Sequence, residues 1–524
     1  PDRCTARGSR GAALLASATP LAILFAPQSP VSGPEPARVR GHFAPLRAQL
    51  PSLDLDSIVF PAYVTTLALL AVYGVHRVVM LARFRWERGA SEPAASGEPP
   101  LVAVQLPIFN ERTVAERLIR ATCALAWPAD KLEIQVLDDS NDETRELVDT
   151  EVARQRALGH DIRVVRRADR RGFKAGALDH GLAQTRAQFV CIFDADFVPE
   201  PDFLARLMPA FTDPRIGMVQ ARWGHANRDD NLLTRAESAL LDGHFVIEHT
   251  VRCDSGLFFN FNGTAGVWRR AAIEAAGGWE HDTLTEDLDL SYRAQLAGWK
   301  FVYAPRVVAP AEVPPDIAAF KSQQHRWAKG SVQVFKKLGW RILTSKEPLR
   351  VKLEALAHLS GNVGYPCVLL LALLMPLAIR STRDYPAWIH VTMFFVCTIS
   401  VILFYEQSQR AIGRPLRRRL GDIAAAVTLG IGMCVSQTRA VFEGLLPGTG
   451  VFVRTPKRGD GVARKYRALA KGLPGIELVL AAWFGWALFG AVRDGMWGTL
   501  PFLVLFFASF AWVGTLSLRE FVRE

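Results

Sequence analysis

The sequence predicts an α/β domain with a mainly parallel sheet, joined to an α-helical transmembrane domain. Strand and helix patterns alternate from Leu101 to Trp223, and long apolar runs stand on both sides of the charged region that contains them. Acids close two of the strand patterns, and sheets of this kind bind ligands beyond the carboxyl ends of their strands.

The first strand pattern is LVAVQLPIFN (101–110), a β-rich run ending in a polar loop, and a helical pattern carries Ala115 to Leu125. LEIQVLDDS (132–140) repeats the design, with Asp138 and Asp139 at its end and a helix from about Glu143 to Ala157. IRVVRR (162–167) is a third strand, and KAGALDHGLAQ opens another helix at Lys174. AQFVCIFDAD is the fourth and IGMVQARW (216–223) the fifth. If the fourth strand continues through its acids, Asp194 and Asp196 share a face, and two carboxylates aimed together repel unless a cation lies between them. Mg²⁺ and Mn²⁺ take carboxylate oxygens and share their remaining sites with substrate phosphates. Lys174 at a predicted helix start would add charge to the same phosphates. Alone, such a pair is weak evidence, since most copies of DxD are solvated loop carboxylates.

Composition supports the second half of the prediction. The 524 residues are 50% hydrophobic, too apolar for a purely soluble enzyme. Residues 1–57 form an uncertain segment that begins with Pro; its apolar piece Ala12 to Ala26 reads as a signal h-region or a weak membrane helix, short of the ~20 residues a span needs. A membrane helix is expected over 58–80, followed by basic Arg83, Arg85 and Arg88. The globular domain covers 101–315 and an interfacial amphipathic segment 316–345. The C-terminal membrane domain, 355–524, holds four apolar runs: Leu359–Ile379, Trp388–Tyr405, Ile476–Val492 and Leu500–Leu518. A shorter run, Ile423–Val435 within an interfacial segment 423–443, is flanked by Arg on both sides, so the positive-inside rule has it lie in the interface or re-enter. One span before the globular domain and four after it leave that domain in the cytoplasm. The net charge of +11 then belongs to cytoplasmic loops, and a nucleic-acid partner is not expected. Seven cysteines without a CxxC argue against a zinc site or a disulfide framework.

Five motifs in order carry a resemblance: VLDDS with Asp138 and Asp139, FDAD with Asp194 and Asp196, FNGT with Phe261, Asn262, Gly263 and Thr264, TED with Thr285, Glu286 and Asp287, and QQHRW with Gln323, Arg326 and Trp327. Together they resemble the inverting family 2 glycosyltransferases of GT-A (Rossmann-like) fold, in particular the membrane-embedded cellulose synthases and the cellulose-synthase-like mannan and glucomannan synthases. The resemblance runs from about Leu101 to Trp340 and reappears in FVRTPK (452–457), which is similar to the gating loop of cellulose synthases but is equally read as a plain basic loop.

That resemblance implies a role for each residue. Asp139, with Asp138 beside it, would contact the donor's base, and Asp194 and Asp196 the ribose–diphosphate and a Mg²⁺ or Mn²⁺ ion, Asp196 being the direct ligand. Lys174, Gln323 and Arg326 would hold the donor side. Asp287 would be the general base, and Trp327, the FNGT residues and Glu286 would face the acceptor. Read from its own neighbourhood, Asp287 is an acid in the first turn of a helix after a Thr285 cap. The implied partners are a nucleotide sugar (GDP-mannose or UDP-glucose), a glycan acceptor, membrane lipid and accessory export subunits, in a multi-pass protein of the bacterial inner membrane.

The sequence departs from cellulose synthases in having FNGT for FCGS and QQHRW for QRGRW. RPLRR (414–418) superficially matches a cyclic-di-GMP-binding motif but lacks its partner sequence, so no such regulator is expected. These departures favour a mannan-synthase-like enzyme and leave the sugar undecided. The expected activity is processive synthesis and export of a β-linked glycan. The alternative is addition of one sugar to a lipid, as by ceramide glucosyltransferases; a non-enzymatic transporter gains nothing from five ordered motifs.

Overall fold

The computed structural model describes residues 55–86, 97–381, 387–448 and 475–523. The uncertain N-terminal segment up to Asp54 and the FVRTPK loop lie outside the described residues.

The chain enters with a long helix, α1 (Leu55–Arg83). Strand–helix units follow: β1 (Val102–Ile108), α2 (Ala115–Cys123), β2 (Leu132–Asp138), α3 (Thr144–Ala157), β3 (Ile162–Val165), α4 (Phe173–Ala183), β4 (Phe189–Ile192), α5 (Phe203–Leu207) and β5 (Ile216–His225). Two more strands complete a sheet of seven in the order β3-β2-β1-β4-β6-β5-β7, namely β6 (Gly266–Arg269) and β7 (Lys300–Ala311). The sheet is mostly parallel; only β6 runs antiparallel to its neighbours β4 and β5. Strand alternation divides the buried side chains between two cores. Val104, Leu106, Val136 and Cys191 belong to one, and Leu137, Val190, Ile192 and Trp268 to the other.

The two strands that the sequence pattern does not announce have physical reasons for being missed. β6 is four residues long, and β7 carries Pro305 and Pro310, which ordinarily demote a strand. At the outer end of the sheet, the β5–β7 register shifts between Ala221 and Arg222, where β7 passes its first proline, Pro305.

Between β5 and β6 lie α6 (Leu232–Asp242), a π-helical turn (Gly243–Glu248) and α7 (His249–Asp254). Then come α8 (Arg270–Ala275), α9 (Glu286–Leu296) and the 28-residue α10 (Ile317–Thr344), which spans the predicted interfacial segment. Asp316 caps α10 by accepting from Ala319 N at 2.8 Å.

The remaining helices are α11 (Leu349–Leu359), α12 (Gly364–Ser381), α13 (Ala387–Ala411), α14 (Leu416–Gly432), α15 (Cys434–Leu445), α16 (Gly475–Arg493) and α17 (Leu500–Arg523). Among the described residues, four stretches are long and apolar enough to cross a membrane: Ile58–Arg83, Gly361–Arg380, Gly475–Arg493 and Trp497–Val522. The run 423–435 falls in the pair α14–α15, bent by 50°, which would be a fifth if counted as one broken span. The predicted span Trp388–Tyr405 lies in α13, 25 residues long but not one of the four. α10 is tied to the last helices by charge: Lys321 Nζ to Glu477 at 2.6 Å, and Glu520 accepting from Ile317 N and Ala318 N at 2.9 Å each.

Candidate active site

β1 and β4 lie side by side and end at the same edge of the sheet, which brings their loops together. β4 stops at Ile192, so Asp194 and Asp196 stand in a turn, closed by Phe197 N donating to Asp194 O, rather than on the extended strand that the pattern suggested. Both still line one cleft of about 180 Å³. Asp139, Lys174, Asn262, Gly263, Glu286, Asp287, Gln323, Arg326 and Trp327 line the same cleft, so residues spread over almost two hundred positions converge on it.

Three predicted residues lie beneath the cleft. Asp138 has a fully buried side chain whose Oδ2 accepts from Arg166 Nε and Nη2 at 2.9 and 2.7 Å. This is a structural ion pair, and removing one partner of such a pair costs about 3–5 kcal/mol. Phe261 is packed in the second core against Trp268. Thr264 is buried, and its Oγ1 accepts from Asp194 N at 2.9 Å, bracing the DxD turn from below. Asp139 does line the cleft, held by Arg167. Beside it the Arg170 guanidinium lies 3.3 Å from the centre of the Phe109 ring, a pairing that spacing alone gives no sign of.

Charge in the cleft is concentrated and nearly balanced. Lys174 Nζ donates to Asp194 Oδ1 at 2.5 Å and to Gly263 O at 2.9 Å. Burial works against the charged amine, but the carboxylates of Asp194, Glu286 and Asp287 outweigh it and hold its pKa above the ordinary lysine value. Arg326 stands among Glu286, Asp194, Asp287 and Asp196; desolvation lowers its pKa and those four acids oppose the shift. Gly263 is required by close approach. Its φ is +80°, and a Cβ there would meet Asp287 Oδ2 at 2.9 Å and Lys174 Nζ at 3.3 Å.

Asp287 occupies the first turn of α9, where Thr285 is the N-cap by position but makes no side-chain cap bond. Its Oδ1 accepts from Leu288 N at 2.8 Å. Burial, then the neighbouring charge of Glu286, pushes its pKa up to about 7, against the pull of Lys174. A general base works only when deprotonated, so if Asp287 has the role that the resemblance implies, kcat/KM is expected to be full above about pH 7 and to fall roughly tenfold per unit well below it. A profile flat from pH 5 to 8 would contradict this.

Asn262 is fixed by two histidines that motif reading missed. His249 Nε2–H donates to Asn262 Oδ1 at 2.8 Å, and Asn262 Nδ2 donates to His244 Nε2 at 3.0 Å. His244 in turn donates from Nδ1 to Glu248 at 3.0 Å. The π-helical turn sets this spacing, because its wider winding places His244 and His249 on the same side. Gly330 of α10 was also missed: a Cβ there would lie 2.5 Å from Thr285 Cγ2, so its absence lets α10 pack directly on the TED loop.

A second cavity, about 350 Å³, shares Trp223, Leu241, Asn262, Thr285, Asp287 and Trp327 with the cleft. It extends to Tyr73, His76 and Arg77 of α1 and to Gly361 and Asn362 before α12. The site is therefore continuous with the helices long enough to cross a membrane.

Residues 99–330 match the model of the glycosyltransferase-like family 2. Glucomannan 4-β-mannosyltransferase 2 of Arabidopsis thaliana is 38% identical over 372 residues, covering 65% of this chain and 70% of the relative. The chain belongs to glycosyltransferase family 2. Glucomannan 4-β-mannosyltransferase 9 of the same plant is 37% identical to this glycosyltransferase over 390 residues, 71% of this chain and 70% of the relative. Among solved structures, the Pyrobaculum calidifontis mannosyltransferase PcManGT, in complex with GDP-Man and Mn²⁺, overlaps 75% of this chain and 99% of its own at 21% identity, with a TM-score of 0.49. That overlap is too loose to carry an argument. Residues from all five motifs along this glycosyltransferase thus line one cleft, among them Asp139, Asp194, Asn262, Asp287 and Trp327.

Proposed function

We propose that the protein is a processive membrane synthase that transfers a hexose from a nucleoside diphosphate sugar, GDP-mannose or UDP-glucose, to the end of a β-linked mannan or glucomannan. One observation supports it above the rest: the donor cleft opens, past Asp287 and Trp327, into a larger cavity bounded by α1. A glycan leaving the site has a path toward the membrane helices.

In this reading the acceptor's terminal sugar stacks on Trp327, whose ring centre lies 6.4 Å from that of Trp223. Asp287 takes the proton of the acceptor hydroxyl as its oxygen attacks the anomeric carbon; the bond to the diphosphate breaks on the opposite face, with inversion. Lys174 and Arg326 carry the charge of the departing diphosphate. Asp194 and Asp196 would hold Mg²⁺ or Mn²⁺; they fit it, as two hard oxygen donors on one turn, with Lys174 already standing as a cation against Asp194. When bound, such an ion neutralises phosphate charge. The other acidic group, Glu280, Asp282 and Asp289, suits a metal less, because Lys337 pairs with all three. The basic residues at the start of α14, Arg414 and Arg417 to Arg419, support a cytoplasmic face for the catalytic domain in a multi-pass arrangement. Accessory export subunits fit the same reading.

The test is to supply membranes holding the enzyme with each nucleotide sugar and analyse the product's linkage. High-molecular-weight β-glycan is expected from wild type, and its loss in Trp327→Ala with some donor hydrolysis remaining. A single-sugar lipid extractable in organic solvent, with no glycanase-sensitive material, would reject the synthase.

A further inference from the structure

α6 carries two buried acids whose circumstances are opposite. Asp242 is fully satisfied: it accepts from His225 at 3.1 Å and from Gln409 at 2.8 Å, and it pairs with Arg228. Glu237, also without solvent exposure, has no hydrogen-bond partner at either carboxyl oxygen. Buried polar groups in folded proteins are nearly all satisfied, so an orphaned acid at the centre of a well-formed helix needs a reason. α6 does not need Glu237 for its own formation, since Asn231 and Thr234 already close a reciprocal cap at its start.

The reason lies in what the side chain faces. Glu237 lines the second cavity together with Trp327, Trp223, Phe320, Gln324 and Asn262. Burial, reinforced by the charge of Asp316, raises its pKa well above the ordinary carboxylate range. A protonated carboxyl is both a donor and an acceptor, and it adds no charge to its surroundings. Beside Glu237 the lining offers aromatic faces from Trp327, Trp223 and Phe320 and side-chain amides from Gln324 and Asn262, groups suited to an uncharged, polyhydroxylated ring; the charged groups Arg77, Glu248, Arg252 and Asp287 line the same cavity. At about 350 Å³ the cavity is also within the size range of small-ligand sites, about 300–1,000 Å³.

We propose that Glu237 is a glycan-binding residue that hydrogen-bonds a hydroxyl of the acceptor chain behind its terminal sugar, in the cavity between Trp327 and the membrane helices. The assignment rests on the glycan-acceptor reading above. It adds a residue that no motif contains.

The experiment uses the full chain in lipid nanodiscs, with whichever of GDP-mannose or UDP-glucose the wild type uses. It measures labelled sugar entering polymer, KM for the donor, and thermal unfolding. Glu237→Leu is expected to lower incorporation at least tenfold, with donor KM within twofold of wild type. Its unfolding midpoint should be no lower, because an unpaired buried polar group has been removed. Glu237→Gln, which keeps one donor and one acceptor, should stay within threefold of wild type. Polymer formed equally by wild type and Glu237→Leu would overturn the assignment alone. Equal losses in Glu237→Gln and Glu237→Leu would overturn the neutral hydrogen-bonding role, and a lower unfolding midpoint with a matching rise in donor KM would make Glu237 structural. Wild-type enzyme that forms no polymer from either donor would overturn the synthase reading, and Glu237's role with it.

Discussion

Asp287→Asn is expected to lower turnover by roughly 10² or more while donor binding survives, because general-base catalysis contributes about 10²–10⁴-fold. The substitution is conservative in shape. The amide oxygen can still accept from Leu288 N, as Asp287 Oδ1 does at 2.8 Å, so the first turn of α9 keeps its geometry. What is lost is the proton acceptor facing the junction of the two cavities. Removing one negative charge from a cleft with Glu286, Asp194 and Asp196 also relieves repulsion, so the donor's diphosphate should bind no worse. Steady-state kinetics with separate measurement of donor binding decides it. Weakened donor binding at unchanged turnover would make Asp287 a ligand contact rather than a base.

Chelation with excess EDTA should abolish transfer, and Asp196→Ala should reduce it by roughly 10³, the equivalent of several kcal/mol of charge stabilisation supplied by a metal ion. Asp196 is buried while Asp194 is half-exposed and paired to Lys174, so the two are not interchangeable. Asp194→Ala leaves Lys174 without its nearest carboxylate, although Glu286 and Asp287 remain near it. It should therefore raise donor KM in addition to lowering turnover. Added Mn²⁺ or Mg²⁺ should restore the EDTA-treated wild type and leave Asp196→Ala deficient. Full activity in excess EDTA would remove the metal from the mechanism.

How much of this was legible in the sequence depends on whether a residue acts through its type or through its contacts. The paired acids, the TED acid and the RW pair are recognisable because their chemistry restricts residue type and their order follows the chain. The parallel sheet was legible from alternating apolar runs, but β7 was not, since its two prolines mimic a loop and only pairing with β5 overrides them. Asp138 looks like a twin of Asp139, and only the position of Arg166 separates the buried one from the one facing the cleft. Glu237, in LLTRAESALLD, reads as the polar face of an amphipathic helix. α6 is instead enclosed on that side too, so a polar residue there faces a cavity and not water. The glycine at 330 gives no periodic signal either, because its role is the absence of a Cβ opposite Thr285.

That missing Cβ turns two separate motifs into one gauge. Trp327 sits one helical turn before Gly330, Gly330 abuts Thr285, and Thr285 precedes Asp287 by two residues. The ring proposed to seat a sugar and the carboxylate proposed to work on it are thus spaced by the close contact of Gly330 with the Thr285 side chain. Were α10 to tilt, through its ties to Glu477 and Glu520, the TED loop would be carried with it. In the proposed reading the interval between platform and base would be a built-in length against which each incoming unit is measured, and advance from one unit to the next would fall to the chain of sugars sliding through a frame that keeps its dimensions.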